Sequence, residues 1–310
     1  MRDSFLLNLT SLAKSNPNIT LITGDLGYGV FEEFETSFPK QYLNIGVAEQ
    51  AMTSVATGLA LEGKIVFTYS IGNFPTLRCL EQIRNDAAYH NANVNIVASG
   101  GGFSYGQLGM SHHATEDLSI MRSLPSVEVY APTTSFEAGQ ITSKIAQRPG
   151  VSYLRLDKTS AEDRLADAFK FGKLRKFSDG KDALIISTGG ILQEAQSASE
   201  KLFRENIEIA VWGCHSLKPF DQSSLIKLAK NYSLIITIEE HNVVGGLGSI
   251  VAETLMDNDT NILKLIRLGL KDVYSSVVGD QKYLRSYYNL DSEYIVEAVK
   301  SNLNKLKALS

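Results

Sequence analysis

The chain has 310 residues, 44% of them apolar and 21% charged, the balance of an ordinary globular protein with room for two domains, which excludes disordered and fibrous architectures. Its net charge of -4 is spread without a basic stripe or a Lys/Arg block, so the electrostatic footprint of a nucleic-acid binder is missing. Cys79 and Cys214 lie far apart, and Met1-Arg2-Asp3-Ser4 runs straight into a helical pattern with neither a signal-peptide core nor a bilayer-length apolar run, which points to a reducing cytoplasm and to no membrane role.

In chain order, a helical pattern over residues 3–14 leads into an apolar run of strand length at 19–23. Helices are expected at 48–62, 77–89, 116–124 and 135–146, and strands at 64–69, 94–99, 127–130 and 151–156. These strands are near-continuous apolar runs, as in sheets covered on both faces, so a mostly parallel sheet with helical crossovers is predicted. A polar, aperiodic stretch from 158 to 181 then breaks the pattern. Alternation resumes with strands at 183–187, 207–211, 234–238 and 263–268 and helices at 192–205, 222–230, 248–256 and 292–305. The fold class is therefore α/β: two doubly wound domains with mostly parallel sheets, over 1–160 and a smaller 182–310, joined by a linker at 161–181.

Ligands in such folds sit at the C-terminal edges of the strands. Four segments fall there: Gly24-Asp25-Leu26-Gly27, residues 44–50, residues 70–84 with Phe74 and Arg78, and a glycine-rich loop ending in Gly109-Met110-Ser111-His112-His113. A glutamate in the first turn of a helix is usually a solvated charge favoured by the helix dipole. Glu49 is different in being flanked by Ile45, Val47, Ala48, Ala51 and Met52, which predicts a buried carboxyl, a functional-site candidate. Phe74 reads either as core or as a ring platform, and Asp25 as a turn former. The adjacent histidines have only Glu116 and Asp117 nearby, too few ligands for a metal site. Arg2, Arg155 and Lys158 read as surface charges.

The segment NIGVAEQAMTSVATGLA, residues 44–60, closely resembles the signature of the pyrimidine-binding domain in transketolases and deoxyxylulose-phosphate synthases. The similarity runs on through Met1-Arg2-Asp3-Ser4-Phe5, Leu80-Glu81-Gln82-Ile83-Arg84 and ITIEEHNVVGGLG at 236–248. It implies the C-terminal half of a split transketolase, with a pyrimidine-binding domain and a transketolase C-terminal-like domain. Such a subunit uses thiamine diphosphate and Mg²⁺ to move a two-carbon ketol unit between sugars. By that resemblance, Glu49 is catalytic, bonding N1′ of the aminopyrimidine. Phe74, Asp25, Leu26 and Arg78 line the cofactor. His112 contacts the donor sugar and moves protons, and His113 replaces the family's glutamine. Arg2 and Lys158, or the neighbouring Arg155, hold the sugar phosphate.

Two departures bear on substrate and partner. Gly100 and Leu108 stand where ordinary transketolases carry a histidine and an aspartate. Leucine cannot bond a hydroxyl and glycine leaves room, so a non-standard sugar is expected. The family's G-D-G…N motif for Mg²⁺ and the diphosphate is missing, so those ligands are expected on an N-terminal partner subunit in an α2β2 assembly. Gly245-Gly246-Leu247-Gly248 precedes a helix but by resemblance is structural, not a phosphate loop. Two alternatives stay open: the beta subunit of a 2-oxoacid dehydrogenase passing an acyl group to lipoamide, to which Asn85-Asp86-Ala87-Ala88 is similar, and a silent scaffold, which has no use for Glu49, Phe74 and His112 together.

Overall fold

A computed structural model describes residues 1–163, 169–260 and 262–308. The first unit runs α1 (Arg2–Ser15), β1 (Ile19–Thr23), α2 (Glu32–Ser37), β2 (Tyr42–Asn44), α3 (Glu49–Leu61), β3 (Ile65–Ile71), α4 (Leu80–Gln82), β4 (Val94–Ser99), α5 (Asp117–Ser123), β5 (Glu128–Tyr130), α6 (Ser135–Ile145) and β6 (Ser152–Leu156). The second runs β7 (Arg175–Ser178), β8 (Ala183–Thr188), α7 (Leu192–Phe203), β9 (Ile209–Gly213), β10 (Ser216–Lys218), α8 (Gln222–Ala229), β11 (Leu234–Asn242), α9 (Leu247–Asp257), β12 (Lys264–Leu270), α10 (Gln281–Tyr287) and α11 (Ser292–Lys307).

The strands form a seven-stranded sheet, β10-β5-β6-β4-β3-β1-β2, and a five-stranded sheet, β12-β11-β8-β9-β7. Both are parallel except at one edge, where β10 runs antiparallel to β5 and β7 antiparallel to β9. Every residue of β1, β4, β6 and β8 is buried, which is why these segments read as near-continuous apolar runs. One face of the first sheet packs Phe5 and Leu9 of α1 with Ile141 of α6, and the other packs Met52 and Ala56 of α3 with Leu118 of α5. The second sheet is likewise covered on both faces, by α7 and α11 on one side and α8 and α9 on the other.

The strands do not divide where the polar stretch does. β7 lies inside the segment expected to be a linker, because Arg175 occupies a core position by pairing with Glu137 and Asp163 rather than by being apolar. β10 belongs to the second half of the chain yet extends the first sheet. Residues 164–168 of the expected linker lie outside the described residues. The helix expected at 77–89 is a composite: a 3₁₀ turn at Leu77–Cys79, the α-turn α4, and a π-helical segment at Ile83–Ala88.

Side chains tie the units together. Arg155 on β6 is buried and bonds Asp157 through Nε at 3.1 Å, Asp117 through Nη1 at 3.3 Å and the Glu240 carbonyl through Nη2 at 3.0 Å. Asp157 in turn accepts the backbone N–H of Gly190 at 2.6 Å. Glu239 accepts the N–H groups of Leu247 and Gly248 at 2.7 and 2.9 Å. The N-terminus of α9 after the glycines is thus filled by the chain's own carboxylate, which leaves no room for a phosphate.

Candidate active site

The C-terminal ends of β1, β3 and β4 deliver the first, third and fourth predicted segments to one edge of the larger sheet. Glu49, the first residue of α3, turns back over that edge and is 2% exposed. Its Oε2 accepts Arg78 Nη1 at 2.7 Å, and its Oε1 accepts Ser70 Oγ at 3.4 Å. The Arg78 guanidinium also lies 4.5 Å from the centre of the Phe74 ring, a cation–π contact. Phe74 meets the His112 imidazole edge-on, with ring centres 5.1 Å apart. Glu49, Arg78, Phe74 and His112 therefore form one continuous line. Burial of Glu49 follows the sequence reading, but its charge partner comes from 29 residues downstream. Arg78 is 44% exposed, so the pair opens to solvent on the guanidinium side.

Asp25 holds a left-handed backbone, φ +57°, tolerated because its short side chain is locked in place. Asn44 Nδ2 and the Tyr28 hydroxyl donate to Asp25 Oδ1 at 3.1 and 3.0 Å, and the Asp25 N–H donates back to Asn44 Oδ1 at 3.0 Å. Asp25 is thus a turn former, and Leu26 after it is half-buried.

The loop 100–113 carries the largest differences from the sequence reading. Gly100 sits at φ +87°, and a Cβ there would overlap the Tyr105 ring. The room expected from this glycine is filled by that ring. Lys158 lies against Tyr105, its ammonium 3.9 Å from the ring centre, and partial burial lowers its pKa. His113 points inward: its Nε2 is 3.1 Å from the Gly106 carbonyl and its ring meets Phe103 edge-on. It does not face the cleft with His112, whose Nδ1 is 3.0 Å from Ser111 Oγ. Arg155, offered as an alternative phosphate ligand, is a buried inter-unit bridge. Its charge is spent on Asp117 and Asp157. Arg2 is solvent-facing at the start of α1, with Nε 3.0 Å from Asp3. Leu108 is 56% exposed on the rim, beside exposed Met110. Sequence reasoning gave no role to Ser70 or Tyr105, which carry no motif of their own and were signalled only by their places in the flagged segments 70–84 and 100–113.

Residues 1–163 match the family model of the transketolase pyrimidine-binding domain, and residues 172–300 that of the transketolase C-terminal domain. A protein of Methanocaldococcus jannaschii described as a transketolase C-terminal section is 36% identical, covering 98% of this chain and 96% of its own. The 6-deoxy-6-sulfo-D-fructose transketolase subunit SqwH of a Clostridium species is 34% identical, covering 96% and 92%. The solved structure of a split-gene transketolase, an inactive beta4 tetramer, superimposes with a TM-score of 0.88 at 33% identity, covering 98% of both chains. The chain belongs to the transketolase family, and its two units are that family's pyrimidine-binding and C-terminal domains.

Proposed function

We propose that this chain is the subunit of a split transketolase-type transferase that holds the aminopyrimidine end of thiamine diphosphate. The observation that carries the reading is the Glu49–Arg78–Phe74 group. The Arg78 guanidinium is a flat, N–H-bearing cation laid on Phe74 and bonded to Glu49. An aminopyrimidine needs the same two contacts, a ring platform and a buried carboxylate acceptor, so the residues present fit the group. Binding of the ring requires Arg78 to slide off Phe74 or off Glu49. When bound, thiamine diphosphate supplies a carbon nucleophile and electron sink that no side chain provides.

The chain's own residues do the rest. Glu49, itself buried, orients the ring and holds the proton at its N1′ position. Phe74 fixes the plane of the ring. His112, edge-on to Phe74, faces the donor sugar and exchanges protons with its hydroxyls. Lys158 and Arg2 supply positive charge for an anionic sugar terminus, with Tyr105 holding the Lys158 ammonium. Leu108 on the rim takes away a hydrogen-bonding group, which favours a sugar other than the common pentose phosphates. That a similar subunit serves a sulfo-sugar transketolase supports this choice.

Mg²⁺ and the diphosphate fall to an N-terminal partner subunit in a paired assembly, a reading supported by the relative whose beta4 tetramer is inactive. Calorimetric titration of thiamine diphosphate with Mg²⁺ tests it. Titration of the chain alone is expected to show no saturable binding, and titration of the chain with its N-terminal partner to show a tight site. Tight binding by the chain alone contradicts the division of labour, and no binding by the complex contradicts the cofactor assignment.

A further inference from the structure

The second unit reaches the loop 100–113 through Tyr288, the Gly279 N–H on the Gly106 carbonyl and one buried carboxylate. Glu240, near the C-terminal end of β11, is 2% exposed and accepts the Phe103 N–H at 2.6 Å and the Gln281 amide at 2.8 Å. It also pairs with Arg285 of α10, which is equally buried and donates to Thr159 Oγ1 at 2.9 Å. Gly102, at φ +57°, is pressed onto this carboxylate so closely that a Cβ would overlap Glu240 Oε1. The contact is therefore built into the backbone path of the loop. Phe103 stacks on Tyr288, with ring centres 5.4 Å apart and planes 18° from parallel, and its other side receives the His113 edge at 5.1 Å. His113 then bonds the Gly106 carbonyl, closing the loop on itself.

The two histidines divide the work of this loop. His113 faces inward onto Phe103, and His112 faces outward onto Phe74. Phe103 therefore touches the ring of the residue next to His112 in sequence. A buried carboxylate is stable only while its donors stay in place, so Glu240 fixes where Phe103 can sit. The Arg155 cluster already joins the units without the Glu240 side chain, using only its backbone carbonyl.

We propose that Glu240 is a positioning residue: acting through Phe103 and His113, it sets His112 against Phe74, and this is the contribution of the C-terminal domain to the reaction. Its bearing on the reaction rests on the reading of His112 as a donor-facing group. The physical link is tested on the full chain without cofactor or partner, by amide hydrogen exchange and by NMR of the chain with ¹³C-labelled histidine. Glu240→Ala is expected to speed exchange across 100–113 by about 10- to 100-fold, the loss of one hydrogen bond to a charged group. Peptides from β1 and α3 keep their rates. The His112 resonance moves toward its position in a Phe74→Leu chain, which lacks the ring contact. Glu240→Gln keeps the volume and an acceptor oxygen and is expected to restore part of both signals; it also serves as the reporting variant if Glu240→Ala does not fold. Wild-type exchange across 100–113 and an unmoved His112 resonance in a cooperatively melting variant overturn the proposal. Thiamine diphosphate binding by the wild-type assembly is measured alongside: its absence sinks the cofactor reading and leaves the positioning link, read from the free chain, standing.

Discussion

Glu239 and Glu240 are neighbours in sequence with opposite assignments. Glu240 is paired with a buried arginine, whereas Glu239 faces the N-terminus of α9, where two backbone N–H groups offset only part of its desolvation. Burial pushes the Glu239 pKa up to about 7, from 4.5. A raised carboxyl pKa in the folded state means that the folded chain binds the proton more tightly than the unfolded one. That contribution is fully present below about pH 4.5 and is lost as pH rises through about 7. Burial depresses the pKa of His215 and His241; their contribution is lost in the other direction, as pH falls below the ordinary histidine value. Comparison with a variant at each pH separates the two. Glu239→Gln keeps an acceptor and cannot ionise, so relative to it the wild type is expected to lose about 3 kcal/mol between pH 4.5 and 8. Denaturant melts across that range check this, and a pH-independent difference contradicts it. The resemblance at 236–248 identified this segment, but no spacing rule separates a carboxylate that caps a helix from one that reaches the other unit.

At the scale of elements, legibility followed burial on both faces. Strands β1, β4, β6 and β8 read directly as near-continuous apolar runs, and α3 as the helix expected at 48–62. What stayed hidden were the short elements α2, β2 and α10 and two strands held by charge or by a distant partner. β7 has Arg175 in a core position, and the three-residue β10 exists only because β5 offers an open edge. β10 also brings Lys218, whose ammonium caps the C-terminal end of α5 at the Arg122 carbonyl, 3.0 Å away, and at the Leu124 carbonyl. Lys218→Met keeps the length and removes the cap, at an expected cost of about 1–2 kcal/mol. Chemical denaturation measures it, and wild-type stability in the variant shows the cap to be idle. Within the site, the line from Glu49 to His112 was legible as a set of candidates but not as a line. The Glu49–Arg78 pairing depends on how the composite helix after β3 winds.

At the scale of the whole molecule, the crevice at the carboxyl ends of β8 and β11, the usual ligand position in an open α/β sheet, is taken up by the other unit. Asp157 sits on the Gly190 N–H, and Arg155 reaches the Glu240 carbonyl. The second unit therefore uses its ligand edge to hold the first. Arg155→Met leaves Asp117 and Asp157 buried without their countercharge, an expected loss of about 3–5 kcal/mol. Calorimetry is expected to show a single wild-type transition and a split one in the variant; a single unshifted transition in both contradicts the coupling. Glu49 lies at the carboxyl ends of β1 and β3, and the account depends most on what that carboxyl does. The direct measurement is exchange of the thiazolium C2 proton of thiamine diphosphate into deuterium oxide, followed by proton NMR in the complex of this chain with its N-terminal partner, which needs no knowledge of the sugar. Glu49→Ala is expected to slow that exchange by about 100-fold or more while the complex stays assembled. Exchange at the wild-type rate in the variant would contradict the account.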